Sequence, residues 1–389
     1  MVLITKYKSV LIISILSVIM LFSFCRKNND VPEEYNPTPY IIEIPRYFPT
    51  KLNIPDNNPM TVEGVALGRY LFYDGRLSGR THSDSLMSCG TCHLQSRSFE
   101  CGIDHPKYTG GATFGLTGIQ TPNFIMPLIN LVFNHNGYLW NGLIHHSNED
   151  ASLRRLEDFA WTGVVAPHEM HGDTSRTVAL IQSLPGYPQL FYKAFSSDKV
   201  TMENIGKAIA QFVRTLISAN SRFDRYLNGE EQLTEEELSG YVLFMTEEGA
   251  DCFHCHGGAG VPLFTTNLYY NNGKDTVFND PGDRYAITGN PRDIGAYRAP
   301  TLRNIEYTAP YMHDGRFATL AEVIDFYSHH VKMSAYVHPL MHHAHRGGVQ
   351  LTPKQKSDLL AFIKTLRDDD FVNNPEFAKP AAFPDGSIQ

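Results

Sequence analysis

The sequence predicts a mostly α-helical protein made of two similar modules with long loops. Three observations predict this fold class. Apolar residues recur at helical spacing in several segments, no alternating run of β-branched and polar residues is long enough for a sheet, and one pair of short motifs occurs twice in the same order. The 389 residues, 42% hydrophobic and 19% charged, exceed one typical domain and can bury a sizeable core.

The charge balance excludes one class of partner. Lys and Arg number 33 against 41 Asp and Glu, which gives a net charge of −8. No basic field is available for a phosphate backbone, so the sequence predicts no nucleic-acid partner.

Residues 1–25 have the pattern of an export signal. Lys6 and Lys8 precede mostly apolar residues from 10 to 24, a run shorter than the about 20 residues of a bilayer span. Cys25 stands where a bacterial lipoprotein carries its acylated cysteine, although the residue before it is large for that motif. An uncleaved anchor and an ordinary signal peptide are the alternatives. We predict a periplasmic or cell-envelope protein, held at the membrane only through this N-terminal lipid or signal anchor.

Residues 26–60 contain seven prolines. Proline fixes φ and removes a backbone donor, so we predict an extended Pro-rich tether, or a strap on the domain surface, and no helix.

Three helices are predicted from their start signals. Each begins at a threonine that can cap the first turn, and one of these threonines opens a capping box. The helices begin at Thr201, Thr234 and Thr352, and their apolar positions are Ile205, Ala208, Ile209, Phe212 and Leu216, then Leu238, Val242 and Leu243, then Leu359, Leu360, Ile363 and Leu366. The first helix is expected to reach Ala219.

The repeated pair of motifs predicts two homologous modules. Gly68–Phe72 precedes Cys89–His93, and Gly240–Phe244 precedes Cys252–His256. We place the boundary within residues 228–231.

The predicted modules are residues 61–229 and 230–372, followed by a tail at 373–389. Long loops at 105–122 and 257–295 are expected to wrap a cofactor.

Each Cys-x-x-Cys-His motif offers two thiols spaced to attach one haem, followed by a histidine that can ligate its iron. A zinc site of two Cys-x-x-Cys knuckles is the alternative, but knuckles rarely carry His directly after the second Cys. A redox Cys pair predicts only one motif. We therefore predict two covalently bound haem c groups, held by Cys89, Cys92 and His93 and by Cys252, Cys255 and His256. Cys101 receives no role.

The segments around these motifs resemble the bacterial di-haem cytochrome c peroxidase family, which includes the MauG-type maturation enzymes. Gly68–Ser78 is similar to the family's opening, and Ala299–Asn304 with Thr308–Gly315 is similar to its second-domain signature. The resemblance implies two cytochrome c-like domains. It implies that hydrogen peroxide is reduced at the N-terminal haem and that a small donor protein, a cytochrome c or a cupredoxin, feeds electrons to the C-terminal haem. Family members are often dimers, which leaves a homodimer open.

Glu169 resembles the family's distal catalytic glutamate, which moves a proton between the two oxygens of peroxide. A solvated surface glutamate is the alternative. The family usually has Gln where Phe159 stands and often has Pro where Gly163 stands, so this pocket is expected to be more apolar or differently shaped.

Trp140 resembles the family's inter-haem tryptophan, which relays electrons. Core packing is the alternative for Trp140 and the expectation for Trp161.

Tyr327 stands where MauG-type proteins have a tyrosine ligand to the C-terminal haem iron. Met333 and Met341 lie downstream and offer the alternative of a methionine ligand, which raises the potential of a haem; one of the nearby histidines is a further alternative.

Three further sites follow from the resemblance or from composition. Asn123, Thr308 and Pro310 match the family's calcium ligands, with ordinary turn chemistry as the alternative. His105 lies in the loop that carries a distal His in some members, but at a different spacing. The histidines within 329–345 are expected to form a solvated loop, with a surface metal site as the alternative.

The sequence therefore predicts a cytochrome-c peroxidase. A MauG-like enzyme that oxidises residues of a partner protein through a high-valent di-haem state is the first alternative. A non-enzymatic di-haem electron carrier is the second.

Overall fold

The computed structural model describes residues 35–142, 156–258, 260 and 262–389. The predicted export signal, with Cys25, lies outside the described residues. Within them, no helix is both long enough and apolar enough to span a bilayer. The described residues from 37 onward form one compact unit.

Helices carry almost all of the regular structure, which confirms the predicted fold class. The α-helices are α1 Val62–Tyr73, α2 Cys89–Cys92, α3 Leu156–Val165, α4 Thr174–Ser183, α5 Tyr187–Phe195, α6 Met202–Arg214, α7 Arg222–Asn228, α8 Glu235–Phe244, α9 Phe253–His256, α10 Tyr285–Thr288, α11 Leu320–His329, α12 Pro353–Lys364 and α13 Asp369–Asn373.

Shorter elements lie between the helices. Strands β1 (Tyr269–Tyr270) and β2 (Tyr297–Arg298) pair antiparallel, with Tyr269 opposite Arg298. The 3₁₀ turns are Gly75–Ser78, Ser83–Ser85, Gln95–Arg97, Leu131–Phe133, Pro291–Asp293, Ile305–Tyr307 and Ala344–Arg346.

The three predicted helix starts are confirmed. The side chains of Thr201, Thr234 and Thr352 each accept a hydrogen bond from the backbone N–H three residues on. The last two threonines form capping boxes, with Glu237 and Gln355.

Two details of these helices differ from expectation. Helix α6 ends at Arg214 rather than Ala219, because the next residues bond to another segment: Asn130 donates to the Leu216 carbonyl and accepts from the Ser218 N–H. In α8 the apolar residues Leu238 and Val242 are exposed, and the buried positions are Gly240 and Phe244.

The repeated motif forms the same helix crossing twice. A Cβ on Gly68 of α1 would lie 1.9 Å from the Ala208 carbonyl oxygen of α6, and a Cβ on Gly240 of α8 would lie 1.9 Å from the Asp358 carbonyl oxygen of α12. The glycine at the head of each motif therefore lets the two backbones touch.

Aromatic pairs beside the two glycines also match. The rings of Phe72 and Phe212 lie 5.3 Å apart at one crossing, and those of Phe244 and Phe362 lie 5.3 Å apart at the other. Each pair is edge-to-face, the geometry that aromatic side chains prefer.

The buried apolar residues form separate clusters. One holds α1, α3–α6 and, from the chain's C-terminal end, Phe371, Phe377 and Phe383. Another is made of residues between 223 and 366. A smaller one brings Phe48 from the Pro-rich segment against Val132 and Leu263. The domain boundary within 228–231 stays a prediction.

Candidate active site

The first Cys-x-x-Cys-His motif forms α2 and the residue after it. Ser88 and Thr91 make a capping box that starts this short helix, and Cys89 and Cys92 are free thiols. The Nδ1 atom of His93 lies 2.6 Å from the carbonyl oxygen of Phe99. A hydrogen bond from Nδ1–H to this carbonyl fixes the ring and leaves Nε2 as the free ligand atom.

The second motif repeats this arrangement. Cys252 and Cys255 are free thiols around α9, and the Nδ1 atom of His256 lies 3.1 Å from the Pro300 carbonyl oxygen. Burial lowers the pKa of both His93 and His256 to about 4, so the rings are neutral, the form that binds a metal.

The surroundings of the second motif fit a haem. The two thiols and His256 line a cavity whose other walls are mostly apolar, as a porphyrin face requires. The apolar walls include Leu302, Leu320, Ile324, Val331, Leu351 and Ile363.

Glu169 lies close to the thiols of the first motif. Burial raises the pKa of Cys89 and Cys92 to about 12, and the charge of Glu169 adds to this shift. Burial also raises the pKa of Glu169 itself, to about 7. Its side chain keeps 43% of its surface accessible although protein surrounds it.

The backbone around Glu169 is held by the loop before it. The Leu116 N–H donates to the Glu169 carbonyl at 2.9 Å, and the Thr117 hydroxyl donates to the Pro167 carbonyl at 2.6 Å. A Cβ on Gly163 would lie 2.7 Å from Oε2 of Glu169. Gly163 therefore provides space for the carboxylate, which gives this departure from the family pattern a physical reason.

The aromatic residues near α3 pack in the interior. Phe159 stacks on Tyr138 with ring centroids 5.9 Å apart, which places an apolar contact where the family usually has Gln. Trp161 is buried in the first hydrophobic cluster, as expected.

Trp140 lies in the wall of the cavity that holds the second motif. Its indole Nε1–H donates to the Phe124 carbonyl at 2.7 Å, and its ring meets His313 edge-on at 6.3 Å. The ring is thus fixed at the cavity wall rather than packed into a core cluster.

Tyr327 lines the same cavity from α11. Its hydroxyl accepts a hydrogen bond from Asn272 at 3.0 Å, and burial raises its pKa above the usual value. Met341 also lines the cavity, whereas Met333 is 56% exposed and lies outside the residues that line it.

Two residues of this cavity were missed from the sequence. Met312 lines it, and Asn272 donates to the Met312 sulfur at 3.8 Å as well as to Tyr327. Met312 lies inside Thr308–Gly315, the segment that is similar to the family's second-domain signature, so the sequence could have indicated it as a site residue. Nothing in the sequence marks Asn272.

The candidate calcium residues lie around the loop that follows Thr308. Asn123 donates through Nδ2 to the Gly282 carbonyl at 3.3 Å, while its Oδ1 is buried without a hydrogen-bond partner. Phe124 N–H donates to the His313 carbonyl at 2.7 Å, and Pro310 and Thr308 line the adjoining cavity. A buried orphan oxygen of this kind fits a cation that prefers oxygen ligands.

One nitrogen of His105 is occupied by the backbone. Its Nδ1 accepts a hydrogen bond from the Lys107 N–H at 3.1 Å. Cys101 is a fully buried free thiol.

The helical fold and two supported Cys-x-x-Cys-His sites define a di-haem c-type protein. A family model described as di-haem cytochrome c peroxidase matches residues 62–232. Cytochrome-c peroxidase IdrP1 of a Pseudomonas species is 31% identical over 349 residues, covering 80% of this chain and 83% of the relative. Cytochrome c551 peroxidase of Nitrosomonas europaea is also 31% identical, covering 85% and 86%. The chain belongs to the di-haem cytochrome c peroxidase family, whose members carry two haem c groups.

MauG-type proteins are similar to the chain to the same degree. The methylamine utilization protein MauG of Methylorubrum extorquens is 30% identical, with 82% of both chains covered. A crystal structure of a MauG-like protein associated with microbial copper homeostasis is 34% identical, with a TM-score of 0.75 over 88% of this chain and 99% of that one. Family membership therefore establishes an oxidoreductase and leaves the choice of reaction open.

Proposed function

We propose that the protein reduces hydrogen peroxide to water at the N-terminal haem, with electrons that enter at the C-terminal haem from a small redox protein. The observation that carries this proposal is Glu169. A carboxyl group with a pKa of about 7, close to the thiols of the first motif, is suited to take up and return a proton at neutral pH. A solvated surface glutamate would have an ordinary pKa.

The proton chemistry is assigned to the protein's own residues. A haem attached to Cys89 and Cys92, with His93 as its iron ligand, would supply the redox chemistry of O–O cleavage. Glu169 accepts the proton of the inner peroxide oxygen and delivers it to the outer oxygen, so that hydrogen peroxide, two electrons and two protons give two waters. A side chain at position 163 would crowd Oε2 of Glu169, so Gly163 keeps the space beside the carboxylate free.

Trp140 is the proposed electron relay between the haems. Its ring lines the cavity of the second motif, and its Nε1–H is fixed on Phe124. The Arg298 N–H donates to the Trp140 carbonyl at 2.7 Å, which ties the backbone to β2. A ring fixed at both its backbone and its indole changes position little when its charge changes.

A MauG-like reaction is the second candidate. In it the protein would oxidise residues of a partner protein at a distance. The presence of Tyr327 in the cavity of His256 favours it, because a phenolate ligand stabilises oxidised iron. Glu169 argues against the third function, a carrier without peroxide chemistry.

Calcium and cell location complete the proposal. The buried, unpartnered Oδ1 of Asn123 supports a Ca²⁺ site shared with Thr308 and Pro310. The signal pattern of residues 1–25 supports a periplasmic or envelope location with attachment through Cys25.

The experiment is peroxide-dependent oxidation of a reduced donor cytochrome by the purified di-haem protein. Turnover would establish the peroxidase. Absence of turnover, together with a long-lived spectral change after stoichiometric peroxide, would favour the MauG-like reaction instead. A protein that leaves peroxide untouched would contradict both.

A further inference from the structure

We propose that Glu247, His254 and His342 form a binding site for a divalent transition-metal ion of the Zn²⁺ type, beside the second haem-attachment motif. One ligand atom from each of these residues lies within 4.8 Å of the other two. The three ligands are different residues from the proposed haem and calcium ligands, and one of them, His342, also lines the cavity of the second motif.

The fold brings these ligands together from three places. Helix α8 ends at Phe244, and the turn that follows, closed by the Ala250 N–H on the Leu243 carbonyl at 2.7 Å, carries Glu247 towards α9. His254 stands between the two cysteines of the motif. His342 comes from the segment 329–345, and its ring meets that of His254 edge-on, with ring centroids 5.0 Å apart.

The donor set matches the chemistry of zinc. Two imidazoles and a carboxylate are its common nitrogen and oxygen ligands. Ligand atoms about 2.1 Å from a tetrahedral ion lie about 3.4 Å apart, so small side-chain rotations from the present spacing close the set. The fourth position is left to water.

A second, independent observation is the support behind His254. Its Nδ1 lies 2.5 Å from Oδ1 of Asp251, whose side chain is only 6% exposed. A carboxylate that holds the far nitrogen of a histidine fixes its tautomer and presents the other nitrogen, which is the usual arrangement behind a metal-bound histidine.

His342 provides a third observation. Its Nδ1 lies 3.0 Å from Oε1 of Glu247 and 3.4 Å from Oδ2 of Asp251, yet it is buried and aligned for a hydrogen bond with neither. The Nε2 of the adjacent His343 lies 2.7 Å from the Glu247 carbonyl oxygen. This contact holds the backbone of Glu247 in place. A nitrogen placed among carboxylates without a bond of its own is suited to a cation.

The test is titration of Zn²⁺ into the haem-loaded protein, followed by calorimetry. We expect one ion per chain, and a loss of affinity of about 100-fold in both His342→Ala and Glu247→Gln, the upper end of the loss that follows removal of a supporting group. Asp251→Asn should weaken binding by about 10- to 100-fold through the support it removes. An unchanged haem spectrum shows that each variant is folded. Glu247 is half-exposed, so Glu247→Gln should fold and still tests the site if His342→Ala does not fold.

The matched control is His330→Ala. His330 belongs to the same segment 329–345 and lies 3.1 Å from Asp325, but among the described residues this pair is not part of a group of three possible metal ligands. Binding should be unchanged in this variant. Absence of a stoichiometric site in the wild type, or equal loss in His330→Ala and His342→Ala, would overturn the proposal.

A bound ion would also act on the second haem, a consequence that rests on the haem assigned to Cys252 and Cys255. A dication at His254 favours the reduced iron, so Zn²⁺ should raise the midpoint potential of one haem in the wild type and leave it unchanged in His342→Ala. This readout does not depend on turnover, so the metal site can be judged even if the peroxidase proposal fails.

Discussion

The two Cys-x-x-Cys-His motifs are supported in the same way and surrounded by different groups. In each module a glycine lets two helices touch, and a backbone carbonyl holds the histidine ring. Glu169 lies near the first pair of thiols, whereas Tyr327, Met312 and Met341 line the cavity of the second. One scaffold can therefore carry two haems of different chemistry, because the framework and the surrounding groups come from different parts of the sequence.

The largest expected effect is at the group that distinguishes the first site. Glu169→Gln keeps the shape and removes the proton acceptor, so peroxide turnover should fall by about 10²- to 10⁴-fold with both haems still attached. Stopped-flow oxidation of a reduced donor measures it. Glu235→Gln, at an exposed position of α8, is the control and should retain full activity. Equal activity in the two variants would remove Glu169 from the mechanism.

The shared framework is tested by the two glycines. Gly68→Ala and Gly240→Ala should each lower the free energy of unfolding by about 2 kcal/mol, because the new methyl group meets a backbone carbonyl that cannot move aside. That is about a thirtyfold change in the unfolding equilibrium, measurable by urea denaturation. Gly260→Ala, where the added Cβ meets nothing within 4 Å, is the control. A large effect in only one module would show that the crossings are not equivalent.

The pH profile sharpens the contrast between the sites. Burial raises the pKa of Glu169 from 4.5 to about 7, so the carboxylate that accepts the proton is lost below that pH and turnover should fall about tenfold per pH unit. The effect on stability has the opposite sign. The folded protein binds this proton more tightly than the unfolded chain, so the contribution to stability is full below about 4.5 and is lost as the pH rises through 7. Residual turnover of Glu169→Gln should lack the acidic limb; if the limb persists, another group causes it.

The smallest expected effect on stability is in the second site. Tyr327→Phe removes the hydroxyl that Asn272 bonds, which should cost about 1 kcal/mol. If the phenol ligates iron, the absorption spectrum of one haem changes as well. Tyr336→Phe, at a 38% exposed position, should change neither property. Loss of stability without a spectral change would assign Tyr327 to packing and leave Met312, Met341 or a histidine of the cavity as the ligand candidates.

The local features were predictable from the sequence. A cap such as Thr201 and its partner N–H lie within one helical turn, and the Cys and His of each motif lie within five residues. Their geometry is set by the backbone preferences of residues that are adjacent in the sequence. The repeat was readable for the same reason, because each copy carries its own glycine and aromatic residues.

Other features were decided only by the tertiary structure. The pair of Asn272 and Tyr327 and the set of Glu247, His254 and His342 depend on how loops cross. Asn272 and Tyr327 are 55 positions apart in the sequence. His254 and His342 are 88 positions apart (342 − 254). Helix periodicity and motif spacing carry no information about such contacts, because they are set by which apolar faces bury against each other.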